Sequence, residues 1–330
     1  VDHIAFPYRS FTHLTLLHVV AESGAWEKYQ LDVDYNRYIS SSEAHRLVPD
    51  GTVEFVGGNH VSTYAHRARG DSWVYLGQTV NHVDCQLVTR PDSGIKSIPD
   101  LKGKKVGTRG SHPELNTWLY MKLNGLDCDR DDYELVNQLQ YKKKDVDPTR
   151  KTDPEGLQMP RLWELVKDGT IDAGLLPPPG GQIAADAGLE IIDIEPLPMI
   201  WHTTISSSLG FVEKNPDIVE RLLKGLMEGI HFFKTRPQET IEILERLYTQ
   251  EGQMTHEQAA ATYQMMAPPL DPKLFPTMGA IDNVYKEAVR QDADSSKVNP
   301  LELWDLHHIR RIDDSGFTDR LYGKAKTGKG

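Results

Sequence analysis

The chain has 330 residues, of which 38% are hydrophobic, and a formal net charge of −11. That length is sufficient for two domains with cores of their own, and the acidic balance argues against nucleic acid or an anionic membrane as partner. No apolar run approaches the length of a membrane span, so membrane insertion is not expected.

The first predicted strand, Ile4-Ala5-Phe6, begins almost at Val1, with no leader pattern or polar spacer before it. This predicts a cytoplasmic protein, with a periplasmic or exported one as the alternative if a signal peptide has been removed. Tyr8 and Arg9 follow in a loop at the carboxyl end of that strand. They read either as a solvated turn or as a ligand loop of an open α/β sheet. Leu14, Leu17, His18 and Ala21 repeat at helical spacing, predicting a helix over 12–23 that Gly24 terminates. Leu31 to Tyr35 reads as the next strand.

Val53 to Val56 is a further predicted strand, after which Gly57 and Gly58 allow a sharp turn. A helix is expected to start near His60, with Asn59 as its N-cap and His60 at the mouth of a ligand cleft. His66 lies six residues further on, so the two do not share a helix face as metal ligands at i and i+4 would, and His66 is assigned to the surface. Trp73 to Gly77 is a strand, Gln78 to His82 a loop containing Asn81 and His82, and Val83 to Thr89 a crossing strand. There His82 and Asp84 alternate onto one face and Cys85 onto the other, which argues against a Cys-His nucleophile. Cys85 and Cys128 are the only cysteines, too few for a disulfide framework, and both read as free thiols.

The stretch Ser97 to Asp127 carries the clearest local pattern. Lys105-Val106-Gly107 reads as a strand and Thr108-Arg109-Gly110-Ser111-His112 as a tight polar loop. Pro113 suits the first turn of a helix. Ser111 with Glu114 matches a capping box, and Leu115, Trp118, Leu119 and Leu123 supply an apolar stripe. Free N–H groups and the positive end of the helix dipole favour an anion at such a helix start, and Arg109 adds a full charge. Tyr141 to Pro160 lacks any apolar period and reads as an exposed loop. A short helix follows at Leu162, Trp163, Leu165 and Val166, then a buried strand from Ile171 to Leu176. Pro177-Pro178-Pro179 cannot donate backbone hydrogen bonds, so this loop offers shape and apolar surface, suiting a flat or aromatic ligand. Leu189 to Ile194 is another strand, and Ile200 to Ser206, with Trp201, His202 and Thr203, reads as a return crossing. Asn215-Pro216 opens a long amphipathic helix carrying Val219, Leu222, Leu223, Leu226 and Ile230, and helices are predicted over 239–248 and 256–266. His231, His256, His307 and His308 read as surface or packing histidines.

DLKGKKVGTRGSHPELN, with the later KDGTIDAGLL, resembles the second-domain signature of the type II periplasmic-binding-protein-like fold. The branch it resembles holds nitrate, sulfonate and taurine binding proteins together with NMT1/THI5-like proteins, and the likeness runs from Ile4 to about Tyr248. It implies an α/β fold of two domains with an interdomain cleft and two hinge crossings. The first domain would comprise residues 1–88 and 205–330, the second 90–200, with the site between them. The family contacts its ligand from the loops that hold Tyr8 and Arg9 and that hold Arg109, Gly110 and Ser111, and turns a strand end toward ligand at Pro178; Asn59, Asn81 and Thr203 are further candidate ligand residues. The chain lacks the cysteine-rich motif of the thiamin-pyrimidine synthases in this group. Phe11 stands where the aryl-sulfinate desulfinases carry their nucleophilic cysteine, so desulfination through cysteine is not implied.

On that fold His60, His82, His112 and His202 all border one groove, near Arg9 and Arg109, and several imidazoles around one ligand suit proton transfer. The expected function is therefore a cofactor-independent decarboxylase or related lyase. Its substrate would be a small aromatic carboxylate, with arginine holding the anion and a histidine protonating the ring carbon. The resemblance also implies an alternative, the solute-binding component of an ABC importer for a small sulfonate, nitrate-like or aromatic acid anion. No zinc spacing, Walker loop, dinucleotide fingerprint or G-x-S-x-G elbow is present, so neither a metal nor a cofactor is expected.

Overall fold

Strand β1 (Asp2–Ala5) pairs in parallel with β2 (Leu31–Asp34), and α1 (Phe11–Glu22) connects them. The structure is a computed structural model that describes residues 1–108, 111–144, 157–249 and 252–323, without the side chains of residues 111–113, 144 and 249. It divides into unit 1, Val1–His82 with Pro198–Gly330, and unit 2, Val83–Leu197. Ser10 accepts the backbone N–H of His13 to cap α1, and every residue from His13 to Val20 is buried. A helix covered on so many faces is an interior element rather than an amphipathic surface one.

Unit 1 continues through α2 (Ser41–Leu47), β3 (Phe55–Gly57), α3 (Thr63–Ala68) and β4 (Trp73–Val83). The capping box of Ser40 and Glu43 starts α2, a helix the apolar periodicity does not announce because Ala44 is its only buried residue. Two expectations fail here. The helix predicted to begin at His60 starts at Thr63, with Ser62 rather than Asn59 at its N-cap. Gly58 and Asn59 both take left-handed backbone, at φ 89 and 60, which turns the chain away from helix before it can begin. Residues 78–82, predicted as a loop, are strand, because β4 runs unbroken to Val83.

Unit 2 is a five-stranded sheet built from β5 (Gln86–Thr89), β6 (Lys105–Thr108), β7 (Glu134–Asn137), β10 (Ala173–Leu176) and β11 (Glu190–Asp193), in the order β11-β5-β10-β6-β7. Helix α4 (Ser111–Leu123) follows β6; Leu115, Trp118 and Leu119 are buried as expected, but Leu123 is exposed. The predicted exposed loop contains a two-residue ladder, β8 (Lys143–Lys144) with β9 (Leu157–Gln158), and residues 145–156 lie outside the described ones. Helix α5 (Leu162–Lys167), β10 (Ala173–Leu176), α6 (Gly180–Asp186) and β11 (Glu190–Asp193) complete the unit. β6 runs parallel to both β7 and β10, whereas β5 is antiparallel to both β10 and β11.

The chain returns to unit 1 on β12 (Leu197–Ser208), the middle strand of the sheet β3-β12-β4. Helices α7 (Leu209–Lys214), α8 (Pro216–Thr235) and α9 (Pro237–Glu245) follow, then the small ladder of β13 (Tyr248–Thr249) and β14 (Gly252–Gln253). Four α-helices follow among the described residues: α10 (His256–Met266), α11 (Met278–Gln291), α12 (His307–Asp314) and α13 (Phe317–Leu321). The core of unit 1 joins α1 to α8, where Leu17, Val20, Leu222, Leu226 and Phe233 are all buried. Gly229 lets the two helices close, since a Cβ there would sit 2.6 Å from Val20 Cγ2. No helix among the described residues is long and apolar enough to cross a membrane.

Candidate functional site

Arg9 stands between β1 and α1, directly before the Ser10 cap, so the strand end and the buried helix together set its position. Its loop is held by Tyr8, whose N–H donates to Arg37 O at 2.9 Å and whose carbonyl accepts from Ile39 N at 3.0 Å. Arg9 Nε is buried, and among the described residues it has no hydrogen-bond partner. Burial lowers the pKa of the guanidinium, and the neighbouring groups that act on its charge are the phenols of Tyr38 and Tyr75. Among the described residues no carboxylate pairs with it.

His13, in the first turn of α1, donates from Nε2 to the carbonyl of His202 at 3.2 Å, which leaves Nδ1 as a bare acceptor, buried and without partner. Burial, reinforced by the charge of Arg9, pushes its pKa down to about 3. Gly58 makes room for this ring: a Cβ there would lie 2.8 Å from His13 Cε1 and 3.6 Å from Arg9 Nη1. His202 adopts φ 56 within β12, a conformation costly for a residue with a side chain. Its Nδ1 is buried without a described partner. Its pKa falls to about 4, chiefly from burial and then from His82. Next to it, Thr203 has its backbone fixed by Thr79 Oγ1, which donates to Thr203 O at 2.8 Å, while its own hydroxyl is buried and unpartnered.

Helix α2 contributes His45. Its Nε2 accepts from Asn59 Nδ2 at 3.2 Å and lies 2.8 Å from Ser62 Oγ, so Nδ1 carries the proton and is buried without a partner. The ring stacks on His66 at 3.6 Å between centroids, and His66 Nδ1 is 2.7 Å from Asp71 Oδ2. Burial, then His66, then Arg9 lower the His45 pKa to about 4. Asn59 is held from behind, its carbonyl accepting from Tyr75 OH at 3.1 Å and from Thr63 Oγ1, and its Oδ1 is buried without a described partner. Arg9 is thus the electrostatic centre of a group in which His13, His45 and His202 are neutral at pH 7. Arg9 Nε, His45 Nδ1 and Thr203 Oγ1 are unused donors, and His13 Nδ1 and Asn59 Oδ1 unused acceptors. Such a set can hold an anion and orient it through neutral hydrogen bonds.

Of the residues singled out from sequence, the fold brings Arg9, Asn59, His202 and Thr203 into this group, with Tyr8 beside Arg9. His60 is half-buried in the turn after Asn59, and His82 acts on His202 from β4. Asn81 is engaged with a neighbouring segment of unit 1. Its Nδ2 donates to Phe275 O at 2.9 Å and its Oδ1 accepts from Thr277 N at 2.8 Å, so both ends of the amide are used in fastening the segment before α11. Pro178 is exposed on unit 2. Ser111 and His112 open α4, but their side chains, like the whole of Arg109 and Gly110, lie outside the described residues. His13 and His45 are the residues the sequence reading passes over. The first sits three places after an N-cap serine in an apolar helix, and the second in a helix marked only by the capping pattern Ser40 to Glu43.

The family model described as NMT1/THI5 like matches residues 12–148. Solved structures resemble the chain over nearly its whole length. The periplasmic sulfonate-binding protein SsuA of a putative sulfonate ABC transporter from Methylobacillus flagellatus KT shares 15% identity at a TM-score of 0.67, covering 96% of each chain. Over residues 12–148 the chain is similar to the NMT1/THI5-like family. The periplasmic aliphatic sulphonate binding protein SsuA from Escherichia coli gives 14% identity and a TM-score of 0.65 over 92% of this chain and 96% of that one. The desulfurization enzyme DSZB gives 14% and 0.57 over 94% and 99%. At these identities the likeness establishes the fold, the two-domain type II periplasmic-binding-protein-like architecture expected from the DLKGKKVG signature. No curated protein matches this chain in sequence.

Proposed function

We propose that the protein is a binding protein for a small organic oxyanion, a sulfonate, sulfinate or carboxylate, and serves as the solute-binding component of an ABC importer. The observation that carries this reading is Arg9: a guanidinium with a buried, unused Nε and no described carboxylate partner. A buried cation is costly unless an anion and hydrogen bonds compensate it. The sulfonate-binding neighbours support a sulfur oxyanion, and a mutant of DSZB in complex with biphenyl-2-sulfinic acid supports an organic acid carried on an aromatic body. On this reading the protein works in the periplasm.

Decarboxylation, the chemistry expected from a ring of histidines, has less support. A general acid must hold a proton near neutral pH, and burial leaves His202, one of the four histidines expected to act, with a pKa of about 4, as it leaves His13 and His45 beside Arg9 with about 3 and 4. They act as neutral donors and acceptors. The test is calorimetry of wild type and Arg9→Met with a panel of alkyl and aryl sulfonates, sulfinates and carboxylates. Each hit is recovered afterwards to see whether it is chemically unchanged. A loss of affinity of roughly 100-fold in Arg9→Met is expected, with intact ligand recovered. Equal binding by the variant would remove Arg9 from the site, and release of carbon dioxide would restore the lyase.

A further inference from the structure

A second polar cluster lies in unit 1 where the chain enters α12. Asp305, His307 and His308 each present one ligand atom, and these atoms lie within 4.8 Å of one another. His308 is only 1% exposed, yet neither of its ring nitrogens has a hydrogen-bond partner among the described residues. A buried imidazole with both nitrogens unused is unfavourable as a packing residue, and neutral imidazole is the commonest transition-metal ligand. His307 Nδ1 already rests against Asp305 Oδ1, which leaves the second oxygen of Asp305 for an ion. Glu220 on α8 stands behind His308, its Oε1 4.0 Å from Nδ1 and 3.0 Å from Arg311 Nη1. The separation from Nδ1 is too long for a hydrogen bond, but it is where a carboxylate takes up Nδ1–H when Nε2 binds a metal.

We propose that Asp305, His307 and His308 form a binding site for a divalent transition ion of the zinc class, with water as fourth ligand and Glu220 orienting His308. Two imidazoles and a carboxylate are a donor set that suits zinc, whose ligands at about 2.0–2.1 Å in a tetrahedron are spaced about 3.4 Å apart. The closure from 4.8 Å falls to His307, whose side chain is 56% exposed and packs on His308 with ring centroids 3.8 Å apart. The ion fastens the start of α12 to a segment already tied to the sheet, since Asp305 N donates to Tyr75 O at 2.8 Å. The site is structural and independent of the anion-binding reading.

The experiment is calorimetric titration of Zn2+ into the full-length, chelator-stripped protein, with Co2+ absorption reporting tetrahedral coordination. One ion per chain is expected, together with a rise in melting temperature, because an ion bound only by the folded state stabilises it. His307→Ala and Asp305→Asn, both at accessible positions and therefore expected to fold, should each weaken the affinity at least tenfold. His3→Ala, which removes the exposed His3–Asp32 pair, should leave it unchanged. Absence of stoichiometric binding, affinity unaltered in both cluster variants, or loss of binding in His3→Ala instead would each overturn the proposal.

Discussion

Around Arg9 the described residues supply a buried guanidinium, the neutral rings of His13, His45 and His202, and no paired carboxylate. Around His308, by contrast, Asp305 and Glu220 bring two carboxylates to a comparable imidazole. On the two proposals the same side chain serves opposite ligand charges in one unit, and the decision lies with its neighbours. Imidazole is neutral in both places, so it supplies hydrogen bonds near Arg9 and lone pairs near Asp305. Counting histidines in a sequence does not separate the two cases, because Glu220 reaches His308 from another helix and Arg9 acts on His45 from a different loop.

The comparison can be broken most directly at Arg9. Replacing it with Met should cost about 3 kcal/mol of ligand affinity while leaving the stability of the ligand-free protein unchanged or up to about 2 kcal/mol higher, because an uncompensated buried charge is removed. Urea unfolding of the free variant checks the second half, and a marked loss of stability would mean that Arg9 is already compensated within the protein. Arg109→Ala tests the expectation drawn from the sequence for unit 2: a fall of about 1.5–3 kcal/mol in affinity is expected if its charge holds an anion. Calorimetry with no change would leave Arg9 as the sole guanidinium.

A smaller effect is expected from Gly58→Ala. The backbone there has φ 89, and the new Cβ would meet His13 Cε1 at 2.8 Å. The left-handed conformation alone costs about 1–3 kcal/mol, and the displaced ring should also weaken anion binding; thermal melts and calorimetry of one preparation report both.

The pH dependence has a definite sign. His13, His45 and His202 have folded-state pKa values of about 3, 4 and 4, below the value of about 6.5 they recover on unfolding. The unfolded chain thus binds more protons between those limits. Stability is fully present above pH 6.5 and declines as the pH falls, by roughly 1 kcal/mol per pH unit for each group. The decline from His45 and His202 levels off near pH 4, and that from His13 nearer 3. His13→Gln should make the slope shallower, and an unchanged slope would show that His13 is not held neutral.

Much of the architecture was legible in the sequence because it rests on local patterns. The α8 periodicity, the strand of β6 leading into α4, and the run over 256–266 all depend on residues a few places apart, and the DLKGKKVG signature identified the fold. Where backbone conformation overrode local preference the reading failed. The left-handed Gly58 and Asn59 moved the start of α3, and the continuous ladder of β4 absorbed residues that looked like a loop. The histidines and Arg9 were visible as residue types. Whether they titrate, whether Asn81 is occupied by the segment near Phe275, and that His13 and His45 join Arg9 were decided only by tertiary structure. Burial and partner distance set a pKa and a hydrogen-bond inventory, and both depend on contacts between residues as far apart as His13 and His202.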